Sequence, residues 1–120
     1  MKVRVSDYIA NFIVKEGITD VFTVIGGGSM FLNDSFGHHK DIRCTYNHHE
    51  QASAISAEGY AKRFGKMAVA CVTSGPGATN ALTGVIGAYQ DSIPMLVISG
   101  QVKSTLTIRS TGLNLRTIGG

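Results

Sequence analysis

Four short apolar runs recur along the chain: "DVFTVI" (20–25), "IRCTYN" (42–47), "MAVACVT" (67–73) and "PMLVISG" (94–100). Each is rich in β-branched residues and reads as a buried strand. Stretches with helical marks separate them. Ser6 can cap a helix to Glu16, with Tyr8, Ile9, Phe12 and Ile13 on one face and Gly17 as its stop. "GGG" (26–28) breaks the first run and "SMFLNDSF" (29–36) reads as a short helix. A third helix follows Asn47 and ends near Gly65, and a fourth follows "SGPG" (74–77) and runs to about 91. Continuous apolar strands alternating with helices predict a parallel sheet covered on both faces, an α/β doubly wound fold. In such sheets function gathers where strands end. Those ends are Gly26–Gly28, Asn47–Glu50, Ser74–Gly77 and Gly100–Lys103.

Residues 101–120 show no helical or strand period and hold no acid. A long structureless tail does not suit a compact domain. The expectation is a sheet missing its last strand or strands, within a larger protein or assembly.

The 120 residues allow one domain at most, with enough chain for a core. With 43% hydrophobic and 16% charged residues, disorder is excluded. The net charge of +3 is mild. Lys62, Arg63 and Lys66 are the one close group of cations, and they suit a helix C-terminus. A basic face with interleaved aromatics is missing, so no nucleic-acid partner is expected. Cys44 and Cys71 lie in strand-like runs and read as buried free thiols. The apolar runs fall far short of a membrane span, and a cytoplasmic protein is expected.

The candidate sites are modest when read singly. "GGGSMF" departs from a dinucleotide fingerprint, since Phe31 holds the place of the last glycine and the later acid is missing. It reads as a tight turn, or as backbone that must approach a flat ligand. "TSGPGATN" (73–80) has the look of a phosphate cradle but lacks Gly-Lys-Ser/Thr. Glu50 stands three residues after Asn47, as in a capping box, and an acid there suits the helix dipole. His48 and His49 are adjacent and do not converge on a metal; no metal ligands are expected in this chain. The small residues say more. Ala52, Ser53, Ala54, Ser56, Ala57, Gly59 and Ala61 leave one helix smooth, and Ala78, Ala81, Gly84, Gly87 and Ala88 do the same for the next. Such helices pack closely on each other or across a subunit interface. An acid at the head of that seam is shielded from water, which strengthens its hydrogen bonds.

"HEQASAISAEGYAKRFGK" followed by "VTSGPGATNALTGVIGAYQDSIPMLVISGQV" resembles the pyrimidine-binding domain of thiamine-diphosphate-dependent enzymes, closest to the acetolactate synthase-like group. The resemblance covers nearly the whole chain. It implies that residues 1–120 form that N-terminal domain, cut before its end, with the diphosphate-binding domain absent. It implies that Glu50 is catalytic: it hydrogen-bonds N1′ of the aminopyrimidine and favours the imino tautomer, whose nitrogen takes the C2 proton of the thiazolium. It also implies that Ile25 and Gly26 lie beside the pyrimidine and that Pro76 and Asn80 line it from the second segment.

The same resemblance implies a whole enzyme that decarboxylates or ligates a 2-oxo acid such as pyruvate, working as a homodimer or tetramer. The cofactors implied are thiamine diphosphate and Mg²⁺, the metal being held by the absent domain, whose Gly-Asp-Gly…Asn motif does not occur here. Any FAD site would also lie outside this chain. The isolated chain is expected to be inactive and to self-associate through its smooth helices. Acetolactate synthases typically carry Tyr-Pro where Ile25-Gly26 stands, and 104–118 also differs, which leaves the substrate open. A non-catalytic binding or regulatory module, and the small subunit of a split decarboxylase, are the alternatives; the retained Glu50 counts against the first.

Overall fold

In the computed structural model, residues 2–107 and Arg109 are described. The element order is α1 (Val5–Lys15), β1 (Asp20–Thr23), α2 (Met30–His38), β2 (Arg43–Tyr46), α3 (Glu50–Phe64), β3 (Ala68–Val72), α4 (Pro76–Gln90) and β4 (Met95–Ser99). A single 3-10 turn at Gly27–Ser29 leads into α2, and another spans Ser104–Leu106. The four strands form one parallel sheet in the order β2-β1-β3-β4. This is the expected doubly wound α/β arrangement. The chain leaves β1 toward β2 and leaves β3 toward β4, so the connections diverge between the two central strands. A crevice opens at such a switch point, outside the carboxyl ends of the strands.

The two faces are built differently. On one, α1 and α2 cover the sheet through Ala10, Ile13 and Phe36 against Val21, Val69 and Cys71. Phe36 is wholly buried, worth about 1.5–3 kcal/mol of transfer free energy. On the other, α3 and α4 lie against Ala68, Ala70 and Val72 through Ala54, Ala57 and Ala81. Here the smooth surfaces meet each other. A Cβ added at Gly84 would stand 2.6 Å from Cβ of Ala54, so glycine there sets how closely the helices approach. Ser53, Ala54, Ala57 and Ala61 of α3 and Ala81, Gly84 and Ala88 of α4 are buried inside the domain, whereas Ala52 and Gly59 stay exposed. α3 and α4 also expose large residues: Ile55, Leu82, Ile86 and Tyr89.

Several local expectations give way. Ser6 does not cap α1; the helix starts at Val5 with Arg4 as its N-cap residue. Ser6 turns inward, buried, and accepts a hydrogen bond from Ser35 of α2 at 2.8 Å. Asn47 does not cap α3 either. His49 is the N-cap, its Nδ1 accepting from Gln51 N–H at 3.1 Å, and Glu50 is the first helical residue rather than the third. Asn47 stays with the strand, where its N–H donates to Thr23 O, and its amide donates to Ser53 Oγ at 3.0 Å. Gly65 ends α3 as expected, in the left-handed conformation at φ 64° with its N–H on Ala61 O. Cys44 is only partly buried because β2 is an edge strand with little cover; Cys71 is fully buried. Of the tail, 101–107 carry one short turn at Ser104–Leu106, and 108 and 110–120, on which most of the expectation falls, lie outside the described residues.

Candidate functional site

The crevice is floored by a buried polar network. Thr23, at the end of β1, donates to Cys71 O on β3 at 2.8 Å and accepts from Asn33 Nδ2 at 2.8 Å. Asn33 Oδ1 in turn lies 2.7 Å from Ser29 Oγ. All three side chains are shielded from water, so each bond is needed to offset a buried polar group. The network ties the start of α2 to the sheet, which fixes the turn after β1. Nothing in the sequence reading marked it. The signal was there: Ser29 and Asn33 stand four apart in a short helix, on the face that must be buried.

Above this floor, two glycine-bearing turns face each other. Gly26–Gly28 follows β1, and Thr73–Gly77 follows β3. Gly28 N–H donates to Thr73 Oγ1 at 3.0 Å. Gly26 is packed so tightly on Thr73 that a Cβ there would collide with it. The glycines of "GGG" are thus explained in part by a neighbour in the same chain. Gly75 adopts φ 65°, and Pro76 takes the first position of α4, where its missing N–H costs nothing.

Glu50 enters the crevice from the head of α3. It is 9% exposed, a buried carboxylate at a helix N-terminus. Asn80, from α4, donates Nδ2–H to Glu50 Oε2 at 3.0 Å. The other oxygen, Oε1, has no hydrogen-bond partner among the described residues. It points toward Gly77, where an added Cβ would come to 3.3 Å. Glu50, Pro76–Gly77 and Asn80 are therefore gathered at one place. Gly26 stands beside them through Thr73. Ile25 is 68% exposed at the end of β1, an apolar side chain with no cover. His48 and His49 both stay on the surface, His49 as a cap.

The arrangement suits a flat, nitrogen-containing ring. A buried carboxylate with one oxygen held and one free can share a proton with a ring nitrogen. Ile25 offers such a ring an apolar surface. Among the described residues, no group of His, Cys, Asp and Glu converges to hold a metal ion, and no helix is long and apolar enough to cross a membrane.

Residues 3–112 match the family model described as thiamine pyrophosphate enzyme, N-terminal TPP binding domain. The acetolactate synthase large subunit of Buchnera aphidicola subsp. Schizaphis graminum is 44% identical over 101 residues, covering 84% of this chain and 18% of that protein. The isozyme 3 large subunit of Escherichia coli K12 is 40% identical over 101 residues, with the same coverage. The X-ray structure of a Mycobacterium smegmatis protein described as a thiamin diphosphate-dependent enzyme superposes with a TM-score of 0.80 at 25% identity, covering 90% of this chain and 20% of that one. The chain thus spans about a fifth of the length of the relatives it matches. It belongs to the family of thiamine pyrophosphate enzyme N-terminal TPP-binding domains.

Proposed function

We propose that this chain, as residues 1–120, supplies the aminopyrimidine half of a thiamine diphosphate site and that Glu50 is its catalytic residue. The observation that carries this reading is the state of the Glu50 carboxylate: buried, held through Oε2 by Asn80, and without a hydrogen-bond partner at Oε1 among the described residues. Thiamine diphosphate, when bound, supplies a carbon nucleophile and an electron sink. The chain's own residues bind, orient and move a proton. Glu50 would share a proton with the ring nitrogen of the bound aminopyrimidine. Asn80 fixes the carboxylate's plane, so that little reorganisation is needed when charge shifts. Ile25 and Gly26 would hold the ring from the β1 side, and Pro76 and Asn80 from the α4 side. Burial keeps water from competing for the proton.

For the whole protein, the reading is a 2-oxo acid decarboxylase or carboligase of the acetolactate synthase-like kind, with pyruvate as substrate. It acts in the cytoplasm as a homodimer or tetramer. Mg²⁺ and the diphosphate are assigned to another domain, and any FAD as well. The names of the relatives support the chemistry, and the apolar residues Ile55, Leu82, Ile86 and Tyr89 on α3 and α4 are compatible with an assembled state.

Calorimetric titration with thiamine diphosphate and Mg²⁺ tests the site. Glu50→Gln keeps the shape and removes the charge, so affinity should fall about 10–100-fold, the worth of a charged hydrogen bond. Equal affinity for wild type and variant would overturn the role of Glu50. The 120-residue chain alone is expected to turn over no pyruvate; measured release of CO₂ from pyruvate would contradict that.

A further inference from the structure

We infer that Thr73 is a positioning residue of this site, the clamp that sets the Gly26–Gly28 turn against Glu50. The inference rests on the reading of Glu50 given above, but its own evidence is separate. Thr73 follows β3 directly and stands at the switch point between the two central strands. Two different segments converge on its side chain. Its Oγ1 accepts the Gly28 N–H at 3.0 Å. Its Cγ2 lies 2.6 Å from where Gly26 would carry a Cβ, and 2.6 Å from where Gly77 would. Gly77 is also the residue that faces Glu50 Oε1. One side chain therefore touches the turn after β1 and the start of α4 at once, with the carboxylate just beyond.

The chemistry of threonine suits this place. The hydroxyl supplies an acceptor for a backbone N–H that no helix or strand satisfies. The methyl group supplies volume between two backbones that carry no side chains of their own. The branch at Cβ restricts the rotamer, so both contacts are held in one geometry. A ring seated between the Gly26–Gly28 turn and Glu50 would sense any change in their separation. The glycine pattern follows from the same residue: Gly26 and Gly77 are small because Thr73 occupies the space between them.

Two substitutions separate the roles of the branch. Thr73→Val keeps the volume and loses the acceptor; Thr73→Ser keeps the acceptor and loses the methyl. Amide hydrogen exchange at Gly28, measured by NMR on this chain, reads the clamp directly. In Thr73→Val the Gly28 amide should exchange about five- to tenfold faster, the worth of one neutral hydrogen bond. In Thr73→Ser its protection should stay near wild type. In the thiamine diphosphate titration, Thr73→Val should bind about tenfold more weakly, a loss beyond what its modest drop in melting temperature accounts for, and Thr73→Ser should restore most of the affinity. A purely structural role would lower the melting temperature and leave the affinity of the folded fraction alone. Unchanged Gly28 exchange in Thr73→Val overturns the clamp, as does wild-type affinity in that variant. Equal affinity of wild type and Glu50→Gln counts against the reading of Glu50, and Gly28 exchange still decides on Thr73.

Discussion

Asn80 reaches Glu50 across 3.0 Å, from an early turn of α4 to the first residue of α3. It is the one side-chain donor to this carboxylate among the described residues. Asn80→Ala should therefore cost about 1–3 kcal/mol, since it leaves a buried charge short of a partner. Urea unfolding at neutral pH measures it. The double variant with Glu50→Gln should lose less than the sum of the single losses, because both act on one bond.

The crossing of α3 and α4 makes a second prediction. Gly84→Ala gains helix propensity, about 1 kcal/mol. Its Cβ would nevertheless stand 2.6 Å from Ala54 Cβ and 2.9 Å from the backbone N of Ile55. Backbone cannot move aside cheaply, so a net loss of about 1–3 kcal/mol is expected. Thermal unfolding should show it, and Ala54→Gly in the same chain should recover part.

Asp20 makes a pH prediction at the opposite end of the sheet. Burial by itself would raise its carboxyl, but hydrogen bonds from Tyr60, Arg43 and Thr19 outweigh burial and hold it below the usual range. The Arg43 Nε–H donates at 2.7 Å. The folded chain thus binds this proton more weakly than the unfolded chain. The stabilisation is present above the ordinary carboxyl value of about 4 and is lost as pH falls through the folded value. Asp20→Asn should be less stable at pH 7, and the gap to wild type should close in the acid range. Unfolding curves from pH 7 downward would reveal a parallel profile if Asp20 did not contribute.

The two thiols should react very differently. Burial pushes the Cys71 thiol up to about 11, with no exposed surface. Cys44 is raised by burial too, but it is partly open on an edge strand. A thiol reagent at pH 8 should label Cys44 in the folded chain and Cys71 only as fast as the chain unfolds. Peptide mapping of the labelled product distinguishes the two.

The alternation of strands and helices was readable because the runs are largely apolar, yet only the central strands β1 and β3 are buried, while β2 and β4 at the edges are exposed or half-buried. Gly65 was readable as a stop because its conformation excludes most other residues. The caps were not. Ser6 and Asn47 have the right chemistry, but each had a better partner in space: Ser35 for one, Ser53 for the other. His49 took the cap that Asn47 left. The small residues of α3 and α4 correctly implied close packing, yet not with what; Ala54 against Gly84 settles that inside the domain. Glu50 was located by its neighbours in sequence, whereas its contact with Asn80 spans 30 positions and depends on the crossing of two helices. Thr73 escaped notice for the same reason: its contacts lie with turns that precede or follow it by many residues.

The sheet order also imposes a timetable on assembly. β1 and β2 are close in sequence and can pair early, but Thr23 contacts Cys71, 48 positions away, so the central seam closes late. Glu50 acquires Asn80 later still, once α4 has emerged. During synthesis the first half of the chain must wait with one flank of β1 unpaired. Non-local parallel pairing of this kind folds slowly and invites association meanwhile. The site comes together only when the two halves of the winding meet.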